Sequence, residues 1–458
     1  MHKPIFFAVV FAIVVAPPWL SKLHWLMHSK KAKGVMAFAG MGFAGDQIKN
    51  VPSMYRKLIV VSGILAILAY FAGQFLDSHH SSFTDFTEYL LFPFFCLVFL
   101  NSLFLVRIRR ISSTPLTRNI FRGMRVTAFL GIVCFLIAVF WPRSFGTPPM
   151  QKRADTRYWD LPTGSRIAYT LLPAKGIKKP YPVIYLEGGP GGSIDDGLIR
   201  IMSPLAEDGY DVYVYEQVGS GWSERLADIR DYTALRHKRD LEGIVQKIGA
   251  KKVILIGQSW GAILAALYTA DNPQRVASLI LTGPGPIQPL RPELAGIVAP
   301  DSLHLRKPYY TNHLGNERAN NIRTRAMVMF ATLFGMRLAS DKEADDFAAY
   351  LNSQVNWSTV CDTSRIRQMR PKGGAGFYVQ VMTVQSFGSL PDPRPRIRNL
   401  PIPLLVIKGQ CDNQQWGFTK EYLDLFPHHQ LVVIPDAGHG IFVEQPERYL
   451  SAIRDFLK

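Results

Sequence analysis

The chain has 458 residues, 48% of them hydrophobic, and its 52 Lys+Arg against 35 Asp+Glu give a formal net charge of +17. That length admits two or three domains. Residues 1–150 hold 15 of the basic residues beside 4 acidic ones, and these flank charge-free apolar runs. The pattern argues against nucleic-acid binding, which wants basic and aromatic residues interleaved on a soluble face, and for membrane topology.

The apolar runs lie near 5–20, 58–76, 89–106 and 126–142. Crossing roughly 30 Å of hydrocarbon takes about 17–25 residues, which the second and third meet, and the fourth meets if Arg125 and Arg143 snorkel. The first is short and broken by Pro17-Pro18, so a cleaved signal peptide is the alternative there. Residues 34–45 are apolar but too short to span. Lys22, Lys30, Lys31, Lys33, Lys49, Arg56 and Lys57 follow the first run. Arg107, Arg109, Arg110, Arg118 and Arg122 follow the third, whereas the loop between them carries Asp77, Asp85 and Glu88. Basic loops stay in the cytoplasm. The expectation is a multi-pass protein of bacterial inner-membrane type, with residues 1–145 in contact with the lipid bilayer and everything after Arg143 extracytoplasmic.

Cys96 and Cys134 fall within predicted spans. Cys361 and Cys411 fall in the later part, where an oxidising compartment permits a disulfide that spacing alone does not establish. No cysteine or histidine cluster points to a metal, and no cofactor is implied.

After about Thr156 short apolar runs recur at 182–189, 211–217, 252–258, 276–283 and 402–409, each ending at or near glycine. Helix-like stretches such as Leu235–Ile248 and Ala262–Ala270 alternate with them. The fold class expected is α/β, a mostly parallel sheet covered by helices on both faces, with ligands bound beyond the strands' carboxyl ends. The core is assigned to 150–283 and 400–458. Residues 284–399, helical around 320–340 and 341–354, are assigned to a cap over the sheet's carboxyl edge.

Within the core, "GQSWG" places Ser259 between Gly257 and Gly261. Alone the pattern is weak. Its setting gives it weight, because a strand precedes it, a helix follows, and the glycines permit the tight turn that exposes a serine hydroxyl. A hydroxyl needs a base, and the base an orienting acid. Asp412 follows one apolar strand and His439 follows the last, in the order Ser259, Asp412, His439; Asp436 in "PDAG" is a competing acid. The oxyanion needs two N–H groups, assigned to Trp260, next after the serine, and Gly189 in the glycine-rich loop "EGGPGGS".

The set "GGPGG", "YEQVGSGWS", "GQSWGA", Asp412 and "PDAGHG" resembles the α/β-hydrolase superfamily, and within it the proline iminopeptidase-like serine aminopeptidases. The resemblance covers residues 155–283 and 400–458 and implies the same nucleophile, acid, base and oxyanion donors. There are departures: Glu187 stands where that family usually has His, Glu216 opens a motif that usually begins with Asp, and Trp357 is followed by Ser358 where the family has a Trp-Glu pair for the substrate's amino terminus. Glu187 and Trp357 are the candidate substrate-binding residues, with Glu293, Glu317 and Glu343 as further carboxylates. The expected function is a membrane-anchored serine aminopeptidase of proline iminopeptidase type acting on short peptides. The rivals are a carboxylesterase or lipase acting on acyl esters, and a non-catalytic membrane binding protein on the same scaffold.

Overall fold

The computed structural model describes residues 126, 129–131, 133–368 and 372–458. Eight strands among them are β1 (Arg157–Asp160), β2 (Arg166–Leu172), β3 (Val183–Leu186), β4 (Val212–Tyr215), β5 (Val253–Gln258), β6 (Val276–Thr282), β7 (Leu404–Gly409) and β8 (His429–Ile434). They form one sheet in the order β1-β2-β4-β3-β5-β6-β7-β8. β1–β2 and β2–β4 are antiparallel, and all pairings from β4 to β8 are parallel.

The connections explain why the central strands are apolar throughout. Helices α1 (Asp196–Glu207), α2 (Ala234–Ile248) and α3 (Trp260–Asp271) link β3 through β6. Between β6 and β7 lie α4 (Asn312–Ala319), α5 (Ile322–Phe334), α6 (Asp341–Val355) and α7 (Phe377–Gln385); α8 (Trp416–Leu425) links β7 to β8, and α9 (Pro446–Leu457) follows β8. Successive strand residues point to opposite faces. Leu255 and Val406 join one core with Leu241, Ile244 and Leu264 of α2 and α3. Ile254, Ile256, Leu405 and Ile407 join the other, with Leu198 and Met202 of α1 and Tyr449 and Ile453 of α9. Each such side chain contributes roughly 1.5–3 kcal/mol by leaving water, and a strand that feeds two cores has no polar face to spare. Lys408 in β7 departs from that rule.

Residues 137–458 form one compact unit. Its first stretch runs against α5 and α6. Arg323 donates to the Val139 carbonyl at 2.6 Å and makes a paired ion bridge with Glu343, whose second carboxylate contact is 2.6 Å. Glu343 also accepts from the Arg143 N–H, and Asp346 accepts from the N–H groups of Phe145 and Thr147. The predicted spans at 5–20, 58–76 and 89–106 lie outside the described residues, and the fourth overlaps them in part. No helix among the described residues is long and apolar enough to cross a membrane.

Candidate active site

Ser259 sits between β5 and α3 with φ 54° and ψ −112°, a conformation that a residue with a side chain holds only when its surroundings dictate it. Three backbone hydrogen bonds do so. Its N–H donates to the Thr282 carbonyl at 2.9 Å, and its carbonyl accepts from Ala262 at 3.1 Å and Gly285 at 3.3 Å. The flanking glycines let α3 press against the sheet. A Cβ on Gly261 would lie 2.7 Å from the Leu186 carbonyl carbon, and one on Gly257 would lie 2.7 Å from the carbonyl carbon of Gly261. Trp260 opens α3, so its N–H has no partner inside that helix, and the helix terminus favours negative charge nearby.

His439 follows β8 and Asp412 follows β7; the imidazole Nδ1 and the Asp412 Oδ1 are 2.8 Å apart, and both residues are buried. The end of β6 connects this pair to the serine turn. The Thr282 carbonyl holds the Ser259 N–H, and the next residue, Gly283, lies against the ring, where a Cβ would be 2.8 Å from His439 Nδ1. Asp412 also accepts from the Gln414 N–H at 3.0 Å through Oδ1 and from Lys408 Nζ at 3.0 Å through Oδ2. Burial alone would push the Asp412 carboxyl up, but Lys408 and His439 hold it well below the usual carboxylate range. The competing acid Asp436 lies on an exposed turn and pairs with Arg306 at 2.7 Å.

The loop after β3 approaches from the other side. Gly188 abuts the serine, since a Cβ there would be 3.3 Å from Ser259 Cβ, and Gly189 follows at φ 115°. Gln217 braces this loop: Nε2 donates to the Glu187 carbonyl at 2.9 Å, while Oε1 accepts from the Gly191 N–H at 3.3 Å and the Trp260 indole at 3.1 Å. The Glu187 side chain is part-buried, and desolvation pushes its carboxyl up to about 7 against a hydrogen bond from the Gly188 N–H.

The region between β6 and β7 is stitched onto these loops. Gly376 N–H donates to the Gly191 carbonyl at 2.9 Å, Gly221 N–H to Gly374 at 2.7 Å, and Gly440 N–H to Thr359 at 3.1 Å. Cys361 and Cys411 form a disulfide with 5.3 Å between their Cα atoms, which ties residue 361 to the neighbour of Asp412. Trp357 stacks edge-on against Tyr310 at 5.5 Å and lies under the Arg318 guanidinium at 4.5 Å. Ser358 bonds Asn312, and Asn413 donates to Ser358 at 3.0 Å, so amides and a hydroxyl occupy that corner. Of the other carboxylates, Glu343 is tied to Arg323, Glu317 is exposed beside His313, and Glu293 is exposed.

The fold therefore gathers a hydroxyl, an imidazole–carboxylate pair and a close-packed glycine loop at neighbouring strand ends, the equipment of acyl transfer. Sequence reasoning missed Gln217 and Lys408. The first stood inside a quoted motif, and the second was the lone charge in an otherwise apolar strand.

Residues 181–446 match the family model described as alpha/beta hydrolase fold. The chain is 28% identical over 305 residues to the proline iminopeptidase of Heyndrickxia coagulans, covering 64% of this chain and 96% of that protein. It is 34% identical over 307 residues to the proline iminopeptidase of Lactobacillus delbrueckii subsp. bulgaricus, covering 65% and 96%. A Bacillus subtilis (strain 168) protein named putative 2-succinyl-6-hydroxy-2,4-cyclohexadiene-1-carboxylate synthase is 25% identical over 247 residues, covering 52% and 78%.

Proposed function

Because the chain belongs to the alpha/beta hydrolase fold family, we propose that it is a serine hydrolase that removes the N-terminal residue from short peptides, in the manner of the proline iminopeptidases it is similar to. The observation that carries the reading is the strained Ser259 turn, joined through Thr282 and Gly283 to the His439–Asp412 pair. Ser259 Oγ attacks the acyl carbon while His439 takes its proton, and Asp412 holds the Nδ1–H side of the ring. The N–H groups of Gly189 and Trp260 stabilise the oxyanion. His439 then protonates the departing amine, and water releases the acyl group from Ser259.

One observation favours an esterase as the second reading. The corner beside Trp357, where a carboxylate would anchor a free amine, is filled by Ser358, Asn312 and Asn413. The proposal places the enzyme in a membrane, with residues 1–145 as its multi-pass anchor and the hydrolase part extracytoplasmic; the charge asymmetry of its loops supports this.

The test is hydrolysis by the purified full-length protein of a fluorogenic panel: amino-acid amides including proline, beside short and long acyl esters, with Ser259→Ala in parallel. Cleavage of free-amine amides, lost in the variant, is the expected result. Cleavage of esters alone, also lost, would replace the peptidase reading with the esterase one. Activity that survives Ser259→Ala would overturn both.

A further inference from the structure

We propose that Lys408 is a positioning residue of this site, its buried ammonium fixing and ionising the carboxylate that orients His439. The inference rests on the serine-hydrolase reading above. All six residues of β7 are buried, and five of them are uncharged. Lys408 is only 2% exposed. An ammonium there carries a heavy desolvation penalty unless it is well paired, and a methionine would fill the same strand position without that penalty. What the lysine adds is its two contacts: Asp412 Oδ2 at 3.0 Å and the Gln414 carbonyl at 2.8 Å.

The carboxylate is thus divided. Oδ1 faces the imidazole and accepts the Gln414 N–H, while Oδ2 faces the ammonium. Rotation about the Asp412 side chain would break the Lys408 contact and the His439 contact together, so the lysine locks the orientation that the ring requires. It also favours the anion. The charged or titratable groups on Asp412 are Lys408 from β7, which it follows, and His439 from the loop after β8. The end of β6 presents Gly283, and the neighbouring segment between β6 and β7 presents Ser358 and Asn312 through Asn413, all uncharged. Removal of the ammonium leaves only His439 and the Gln414 N–H to stabilise a buried carboxylate, which is then ionised less readily.

The experiment compares full-length wild type, Lys408→Met, Lys408→Gln and Lys408→Arg. The readouts are kcat and KM on whichever panel substrate the wild type cleaves, from pH 5 to 9, and the labelling rate of Ser259 by a fluorophosphonate. Lys408→Met is expected to lower kcat at pH 7 by about 10²-fold, with KM within about threefold, because the effect falls on orientation and not on binding. Its acid limb is expected to move up by about one pH unit, since the ammonium opposes a further positive charge on the Asp412–His439 pair and its removal eases protonation there. Lys408→Arg should restore at least about tenfold of kcat and return the acid limb toward wild type. If Lys408→Met does not fold, Lys408→Gln carries the test, because it keeps a donor without the charge and should still move the acid limb. Wild-type kcat and an unmoved acid limb in the folded neutral variants would overturn the inference, as would Lys408→Arg no better than the neutral variant. These outcomes leave the serine-hydrolase reading standing. A wild type that fluorophosphonate does not label at Ser259 would bring down that reading, and this inference with it.

Discussion

Gly283→Ala tests whether the end of β6 sets the distance between the serine turn and the imidazole. Gly283 has φ 47°, in the left-handed region, where a side chain costs about 1–2 kcal/mol. The added methyl would stand 2.8 Å from His439 Nδ1, 3.0 Å from Cε1 and 3.3 Å from Asp412 Oδ2. Ordinary contact is about 0.7–1.2 Å longer than the first of these, so the ring must retreat by up to roughly that amount. A displacement of up to about 1 Å in a positioned group lowers turnover by up to about 10²-fold. The expected outcome is a kcat loss of about 10- to 100-fold, with a Tm loss of about 1–3 °C from the backbone cost. Gly285→Ala serves as the control, since its Cβ would meet the Ile263 Cδ1 at 3.0 Å, a side-chain tip that can turn away. That variant should keep kcat within about threefold. The assay is steady-state turnover of the panel substrate beside a thermal melt, with Ser259→Ala as the blank. A folded Gly283→Ala protein with wild-type kcat would refute the reasoning, and so would equal losses in the two alanine variants.

Three further outcomes are expected. Replacement of Cys361 and Cys411 by serine opens a loop with sequence separation 50 and should cost about 3–4 kcal/mol, read as a lower Tm that added reductant reproduces in the wild type. Arg323→Met leaves Glu343 buried without its partner and should cost about 3–5 kcal/mol in a denaturant titration, while Arg323→Met with Glu343→Leu should recover most of that loss. Glu187 has a carboxyl pushed up to about 7 from an ordinary 4.5. Between those values the folded protein keeps a proton that the unfolded chain has released, so stability should fall as pH rises through that window and level off above it. Glu187→Gln should remove that fall, as Tm measured from pH 4.5 to 8 would register.

The legibility of the sequence follows from what each element buries. β3 through β7 feed two cores and so read as mostly apolar runs, with Lys408 the charge among them. β1 and β2 are antiparallel edge pieces whose "RYWD" and "RIAYTLL" mix exposed and buried positions, and no apolar run marks them. Helix α7, "FYVQVMTVQ", is rich in β-branched and aromatic residues that favour strands. Packing decides its state: Val379 lies against Gly191 and Gly219, and Tyr378 bonds Ala339. The serine turn was visible because glycine spacing and the change from strand to helix are local signals. Asp412 and His439 were visible only as residues that follow strands. Their pairing and the brace from Gln217 depend on which strands neighbour one another, and strand order is a property of the whole chain. The Lys408 contacts with Asp412 and Gln414 are close in sequence, but the curl of the chain after β7 that brings them together has no marker in the residues.

The region between β6 and β7 is fastened at the points where a loose lid would have to hinge. Its residue 361 is bonded covalently beside Asp412, Thr359 holds the Gly440 N–H beside His439, and Gly376 holds the Gly191 carbonyl of the loop that meets Ser259. Glu444 accepts from the N–H groups of both Cys361 and Gly438, so a single buried carboxylate joins this region to the residue before the base. Displacing the whole region would break contacts at the acid, the base and the glycine loop at once. Substrate entry is therefore expected through motion of individual segments. If so, disulfide reduction should alter kcat through the Asp412 loop more than it alters KM. The opposite pattern, a large KM change with kcat preserved, would mean that the bond governs access instead.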